Sequence, residues 1–343
     1  MRTPGIFIGA LGTFIPPTVS VEWAVANGHY PSEDVEMHEL GGTAIAGEIP
    51  PPEMALRAAQ QAVKRWGGSP LGFDLLLYAS TWHQGPDGWP PHSYLQRHLV
   101  GGDLLALEIR QGCNGMMAAM ELAAGCLLAV PERSSALLVA ADNYGTPLVN
   151  RWRMGPGFIG GDAASALVLT KGPGFARLRS VCSKTIPEAE ALHRGDEPLF
   201  PPSITRGRPT DFSARIGQQF ATQSPAAAAM ATMPEQMTAL IGRALEESGI
   251  QMGDIARVAF MNYSKEVVEQ RVMAAWDLPM DRSTWEFGRT VGHCGASDHI
   301  LSFEHLVRTG ELRPGEHMLM LGTAPGLVLS CAIVQVLEQT AWA

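Results

Sequence analysis

Leu104-Leu-Ala-Leu-Glu-Ile-Arg-Gln-Gly-Cys113-Asn-Gly-Met-Met-Ala-Ala-Met-Glu-Leu-Ala-Ala-Gly-Cys-Leu-Leu-Ala-Val130 is the stretch on which the reading of the chain turns. The apolar run Leu104 to Ile109 reads as a strand. A helix rich in small residues follows from about Asn114 to Val130, and Pro131 stops it. Between strand and helix, Gly112 and Gly115 allow a sharp elbow with Cys113 at its tip. A helix N-terminus offers unpaired N–H groups and the positive end of the dipole, and both favour thiolate over thiol. Most free cysteines are instead packed core thiols. Position alone leaves both readings of Cys113 open.

Working outward, short strands alternate with helices, the pattern of a layered α/β fold. Ile6 to Val19 reads as a first buried strand, and Asp74 to Ser80 follows a helix from Glu53 to Trp66 that Gly67-Gly68 close. Ala136 to Ala141 is a further strand, and Gly160-Gly-Asp-Ala-Ala-Ser165 leads into Ala166 to Thr170. The second half repeats the logic. A helix spans Glu235 to Glu247, a strand Val258 to Met261 ends at Asn262-Tyr-Ser264, and a turn at Gly292 to Ser297 feeds a helix from Asp298 to Arg308. Strands His317 to Leu321 and Leu327 to Val336 complete the chain. This predicts an internal duplication with halves 1–172 and 173–343. The Pro-rich segment Ser183 to Pro225 reads as an insertion with short helices that lines a pocket.

Composition narrows the classes. Of 343 residues, 46% are hydrophobic and 17% charged, which excludes a disordered chain. The net charge of −9 and the lack of a basic run argue against nucleic acid as a partner. Met318 to Val334 is uncharged, but Gly322, Pro325 and Gly326 divide it into two strands rather than a membrane span. A cytoplasmic protein without a membrane partner is expected. Five cysteines with no Cys-x-x-Cys pair suggest reduced thiols, with no disulfide framework and no metal site.

Ligands in such folds gather where strand ends meet helix starts. Three glycine-flanked turns qualify, at Cys113, Asn262 and His293. Asp298, five residues after His293, is placed to orient an imidazole and stabilise its charged form. An ordinary helix cap is the competing role for Asp298, with Ser297 as a rival cap. Cys294 is a rival nucleophile by composition, but it points away where its neighbour points in.

Several segments resemble, in order and spacing, the FabH-like ketosynthase III family of the thiolase superfamily. They are Gly5 to Pro16, Asp74 to Thr81, the Cys113 elbow, Phe158-Ile-Gly-Gly-Asp-Ala-Ala-Ser165 and Gly322-Thr-Ala-Pro-Gly326. The resemblance implies a thiolase-like, five-layered αβαβα fold, a homodimer, and a cysteine acylated by a CoA or acyl-carrier-protein thioester. It further implies an oxyanion hole from the N–H groups of Cys113 and Gly326. No permanently bound cofactor is expected; acyl-CoA or a phosphopantetheine thioester serves as co-substrate.

The departures from the family pattern bear on the reaction. Condensing members set a His and an Asn around the cysteine to hold an enolate. Here the first turn carries Asn262 in place of the His, and the second carries His293 in place of the Asn, with Asp298 behind it. Neutral Asn donates a hydrogen bond but is no base, so Asn262 is expected to assist as a donor. Cys–His–Asp suits deprotonation of an attacking alcohol. This pattern looks like the acyl-transferring ketosynthase homologues of antibiotic pathways. A malonyl-type group passing from Cys113 to a glycoside or polyketide hydroxyl is therefore expected. Decarboxylative condensation and acyl shuttling between carrier thiols are the alternatives. Arg153, Arg151, Arg206 and Arg208 are candidates for the phosphates of CoA or a carrier arm, and Trp82, His83, Trp89 and His92 for stacking on an acceptor or a dimer contact.

Overall fold

The computed structural model describes residues 1–342. Its strands are β1 (Phe7–Phe14), β2 (Thr18–Ser20), β3 (Gly42–Ala44), β4 (Leu75–Ala79), β5 (Leu105–Ile109), β6 (Ser135–Asp142), β7 (Ala163–Thr170), β8 (Ala176–Thr185), β9 (Ile255–Ala259), β10 (His317–Ala324) and β11 (Val328–Val336). Nine of them hydrogen-bond in the order β5-β4-β6-β7-β1-β8-β11-β10-β9, while β2 and β3 pair as a separate ribbon. β4 runs parallel to β5 and β6, and β6, β7 and β1 are successively antiparallel. On the other side β8, β11 and β10 are antiparallel, and β9 is parallel to β10. The second half thus repeats the first, with β8, β9, β10 and β11 in the places of β1, β4, β6 and β7. An isolated parallel bridge from Val258 in β9 to Ser283 stands where the second half's counterpart of β5 would be. The expected boundary at residues 172 and 173 falls in the turn between β7 and β8.

Within the sheet the halves join along β1 and β8, at the pairs Phe7–Arg177 and Ile8–Ala176, and helices pack against the strands as layers. The helix Pro51–Trp66 lies on one face of β1, β6 and β7, and the helix Met233–Ser248 on one face of β8 and β11. The helices Gly115–Ala129 and Asp298–Arg308 fill the middle and touch strands of both halves. This is the five-layered αβαβα arrangement. Period-two burial makes it possible: Leu75, Leu77 and Ala79 face the central core, whereas Leu76 and Tyr78 face the outer helix. A sheet covered on both faces needs near-continuous apolar strands, which these are. Gly112–Ala129 is the one helical stretch among the described residues with the length and hydropathy to cross a membrane. The fold uses it as the middle layer.

Several boundaries differ from expectation. The expected strand Ile6 to Val19 divides around Pro16-Pro17 into β1 and β2, which belong to different sheets. β8 was not foreseen, because Arg177 and Arg179 interrupt its apolar pattern. Arg177 lies over the ring of Phe7, 5.3 Å from its centroid, and Arg179 donates to the Ser248 carbonyl at 2.6 Å. The irregular segment therefore starts after Thr185 rather than at Ser183. It does hold short helices, Ala191–Arg194 and Phe212–Ala221 among them. β9 ends at Ala259, so Met261 belongs to the turn that follows.

Candidate active site

At the end of β5 the chain turns through Gly112, whose φ of +53° suits a residue without a Cβ. A Cβ there would also lie 2.8 Å from Pro325 Cδ. Cys113 follows in a short 3-10 turn, Gly112–Asn114, that runs into the Gly115–Ala129 helix. From the other half, the turn between helices Trp285–Val291 and Asp298–Arg308 carries His293. Its backbone is clamped from both sides: the His293 N–H donates to the Ile159 carbonyl at 2.8 Å, and the Gly161 N–H to the His293 carbonyl at 2.9 Å.

The structure brings Cys113 together with His293, 180 positions away, and with Asp298, five further on. Cys113 Sγ lies 2.8 Å from His293 Nε2, and His293 Nδ1 lies 2.6 Å from Asp298 Oδ2. The carboxylate also accepts from the N–H of Cys294 at 2.7 Å and of Asn262 at 2.9 Å. With Asp298 saturated by donors, Nδ1–H donates to it and Nε2 faces the sulfur. His293 and Asp298 are buried, while Cys113 is half-buried. Burial by itself lowers the imidazole's proton affinity, but the Cys113 sulfur and the Asp298 carboxylate overcome it and hold His293 well above the ordinary histidine range. Phe158 and Tyr263 flank the ring, with centroids 5.1 and 5.4 Å from it.

That raised proton affinity has a measurable consequence. A histidine that binds its proton more tightly when folded contributes stability below pH 6.5, and the contribution is lost as pH rises toward the folded-state value. The melting temperature of the wild-type protein is expected to fall with pH from about 6.5 upward. His293→Asn should flatten that limb, and parallel curves for the two proteins would refute the assignment.

Asn262 departs from its expected role. Its side-chain NH2 donates to the Gly292 carbonyl at 2.8 Å and to Asp298 Oδ1 at 3.2 Å. Both amide hydrogens are thus occupied, and Asn262 buttresses Asp298 instead of offering a donor to an acyl oxygen. Gly288 makes room for it, since a Cβ at that position would lie 2.3 Å from Asn262 Oδ1.

Gly326 has a φ of +82° in the turn joining β10 to β11, and its N–H makes no backbone hydrogen bond among the described residues. That turn packs on Gly112 through Ala324 and Pro325. Cys294 is fully buried with its thiol pushed up, first by burial and then by Asp298, so it is no rival nucleophile.

A cavity of about 190 Å³ opens on Cys113 and His293. Met154, Phe158, Leu192, Phe212, Phe220 and Met233 line it, so the segment after β8 does wall a pocket. Burial pushes His193, also in the wall, down to about 4, so it is neutral there.

Of the four expected phosphate ligands, Arg151 is corrected. It is buried and paired with both carboxylate oxygens of Asp162 at 2.9 and 3.0 Å, so it ties the chain after β6 to the start of β7. Arg153 and Arg206 are exposed, and Arg208 is exposed with Glu197 at 3.4 Å. None of the four lines the cavity; the arginine that does is Arg271, which sequence reading missed. Trp82, His83, Trp89 and His92 do not line it either. His83 and Trp89 border a separate surface cleft, so stacking on an acceptor held at Cys113 is corrected too.

Residues 107–185 match 3-oxoacyl-[acyl-carrier-protein (ACP)] synthase III, and residues 245–336 match the C-terminal part of that synthase. A solved structure of ChlB3, described as an acyltransferase, is 57% identical, with a TM-score of 0.95 over 99% of this chain and all of that one. Acetoacetyl CoA synthase NphT7 of Streptomyces sp. (strain CL190) is 26% identical over 291 residues, which is 82% of this chain and 83% of NphT7. The FabH structure from Pseudomonas aeruginosa PAO1 shares the fold, with a TM-score of 0.78 at 21% identity over 97% of this chain and 99% of that one.

Proposed function

This chain belongs to the 3-oxoacyl-[acyl-carrier-protein] synthase III family, the FabH-like ketosynthases, and from that premise we propose that it transfers an acyl group through Cys113 to a hydroxyl. It is a transferase of acyl groups. The observation that carries the proposal is the unbroken chain Cys113–His293–Asp298, with the Asn262 amide engaged by the Gly292 carbonyl and Asp298. Holding an enolate needs two neutral donors over the acyl group. Deprotonating an alcohol needs one oriented base.

The sulfur of Cys113 attacks the carbonyl of a CoA or carrier-protein thioester, and the Cys113 and Gly326 N–H groups receive the developing oxyanion. The intermediate expels the donor thiolate, which takes a proton from the His293 imidazolium. Neutral Nε2 then accepts the proton of an acceptor hydroxyl as its oxygen attacks the thioester on Cys113. Collapse releases the ester, and the Cys113 sulfur departs beside the imidazolium that Asp298 stabilises. A malonyl-type group is the finer reading, with a glycoside or polyketide hydroxyl as acceptor and Arg271 available to its free carboxylate. Arg153, Arg206 and Arg208 remain candidates for the donor's phosphates. The test incubates the protein with labelled malonyl-CoA and a panel of glycosides and polyketides. Expected is an ester that keeps the malonyl carboxylate; release of labelled carbon dioxide with carbon–carbon bond formation would overturn ester transfer.

The partner read from the surface is a second copy. β5 is an edge strand whose Leu105 and Leu107 are 47% and 44% exposed, and Leu122 and Leu128 of the next helix are exposed as well. An apolar edge of this kind is a pairing site. Light scattering should return a dimer, and Leu107→Lys a monomer; a monomeric wild-type protein would discard the pairing.

A further inference from the structure

We infer that Asn114 is a positioning residue: its carboxamide clips the mouth of the β10–β11 hairpin to the Cys113 elbow and so sets the span of the oxyanion hole. This inference rests on the acyl-transfer reading. Asn114 is fully buried, directly after the nucleophile. Its NH2 donates to the Val328 carbonyl at 2.9 Å and the Gly322 carbonyl at 3.3 Å. Those carbonyls belong to opposite strands of the hairpin, close to the turn that carries Gly326. On the other side of Cys113, the same turn packs against Gly112. The elbow and the turn are thus fixed to each other at two points that bracket the nucleophile.

The carboxamide oxygen argues that this is more than packing. Asn114 Oδ1 is buried without a partner, which opposes folding. A Cβ on Gly322 would lie 2.2 Å from it, so the hairpin backbone comes right up to the amide. An apolar side chain of the same shape would fill the space without an orphaned oxygen. What it would lose is the two donors. Oxyanion donors act only within about 2.7–3.1 Å of the developing charge, so the separation of the Cys113 and Gly326 amides has to be held closely.

The test compares two reactions of the same sulfur in the full-length protein. Acylation by acyl-CoA passes through an oxyanion, whereas alkylation by iodoacetamide does not. Asn114→Leu keeps the branched heavy-atom skeleton and removes the donors, and Asn114→Ala removes them with a smaller side chain. Either variant, if folded, should acylate and transfer about 10- to 100-fold more slowly. Alkylation should stay within about twofold, because the helix end and His293 still activate the sulfur. Acylation unchanged in a folded variant, or acylation and alkylation falling together, overturns the inference alone. A wild-type protein that alkylates but takes no acyl group overturns the acyl-transfer reading, and this inference with it.

Discussion

Replacing Cys113 by alanine is expected to abolish the acyl-enzyme and nearly all turnover while leaving the protein folded. The sulfur sits half-buried at the mouth of the cavity, so its loss should cost on the order of 1 kcal/mol of stability. No other cysteine can take its place: Cys182, Cys294 and Cys331 are fully buried, and the half-buried Cys126 accepts a hydrogen bond from Arg133. Intact-mass spectrometry after mixing with acyl-CoA should show one acyl adduct on the wild-type protein and none on Cys113→Ala. An adduct that persists and maps to Cys294 would end the assignment.

His293→Ala should separate loading from transfer. A sulfur nucleophile depends less on a base than a hydroxyl does, so acyl loading should survive, slowed because no imidazolium protonates the departing thiolate. Transfer to an alcohol should fall by about 100- to 10,000-fold, because the hydroxyl then attacks with its proton still in place. Asn262→Ala should cost less, since Asn262 acts through Asp298. Asp298→Asn should weaken transfer and also lower the melting temperature, because the carboxylate accepts from two backbone N–H groups in addition to His293. Single-turnover loading and transfer rates decide the order. An indispensable Asn262 beside a dispensable His293 would put the base in the wrong turn.

What the sequence displayed and what it hid divide along a physical line. Strands buried on both faces, such as Leu75–Ala79, announce themselves as apolar runs, and the glycine-bounded elbow at Cys113 is a local signal. Properties that depend on a distant partner were out of reach. Arg151 looked like a surface cation because Asp162, which neutralises it, is joined to it only by the fold. Asn262 looked like a donor for the substrate because nothing local shows that the Gly292 carbonyl and Asp298 claim both amide hydrogens. Arg271 lies in the π-helical turn Glu269–Met273, whose wider winding departs from the 3.6-residue period that would say which way a side chain faces. Phe158 and Tyr263, 105 positions apart, become neighbours only around His293, with rings 4.8 Å apart.

The two inner helices begin in the same manner, each from a short 3-10 turn, Gly112–Asn114 before one and Gly295–Ser297 before the other, and these turns touch. In the proposed reaction one turn presents the nucleophile and the other leads into the carboxylate that steers its base. Both helix N-termini therefore bring their positive ends to one region, beside the Cys113 sulfur and the Asp298 carboxylate. The repeat has undergone a division of labour. Symmetry survives in the strand order, where burial enforces it, and has been erased in the paired turns, where the two copies do different jobs. A residue exchanged between equivalent turns would keep the backbone's shape and lose the chemistry.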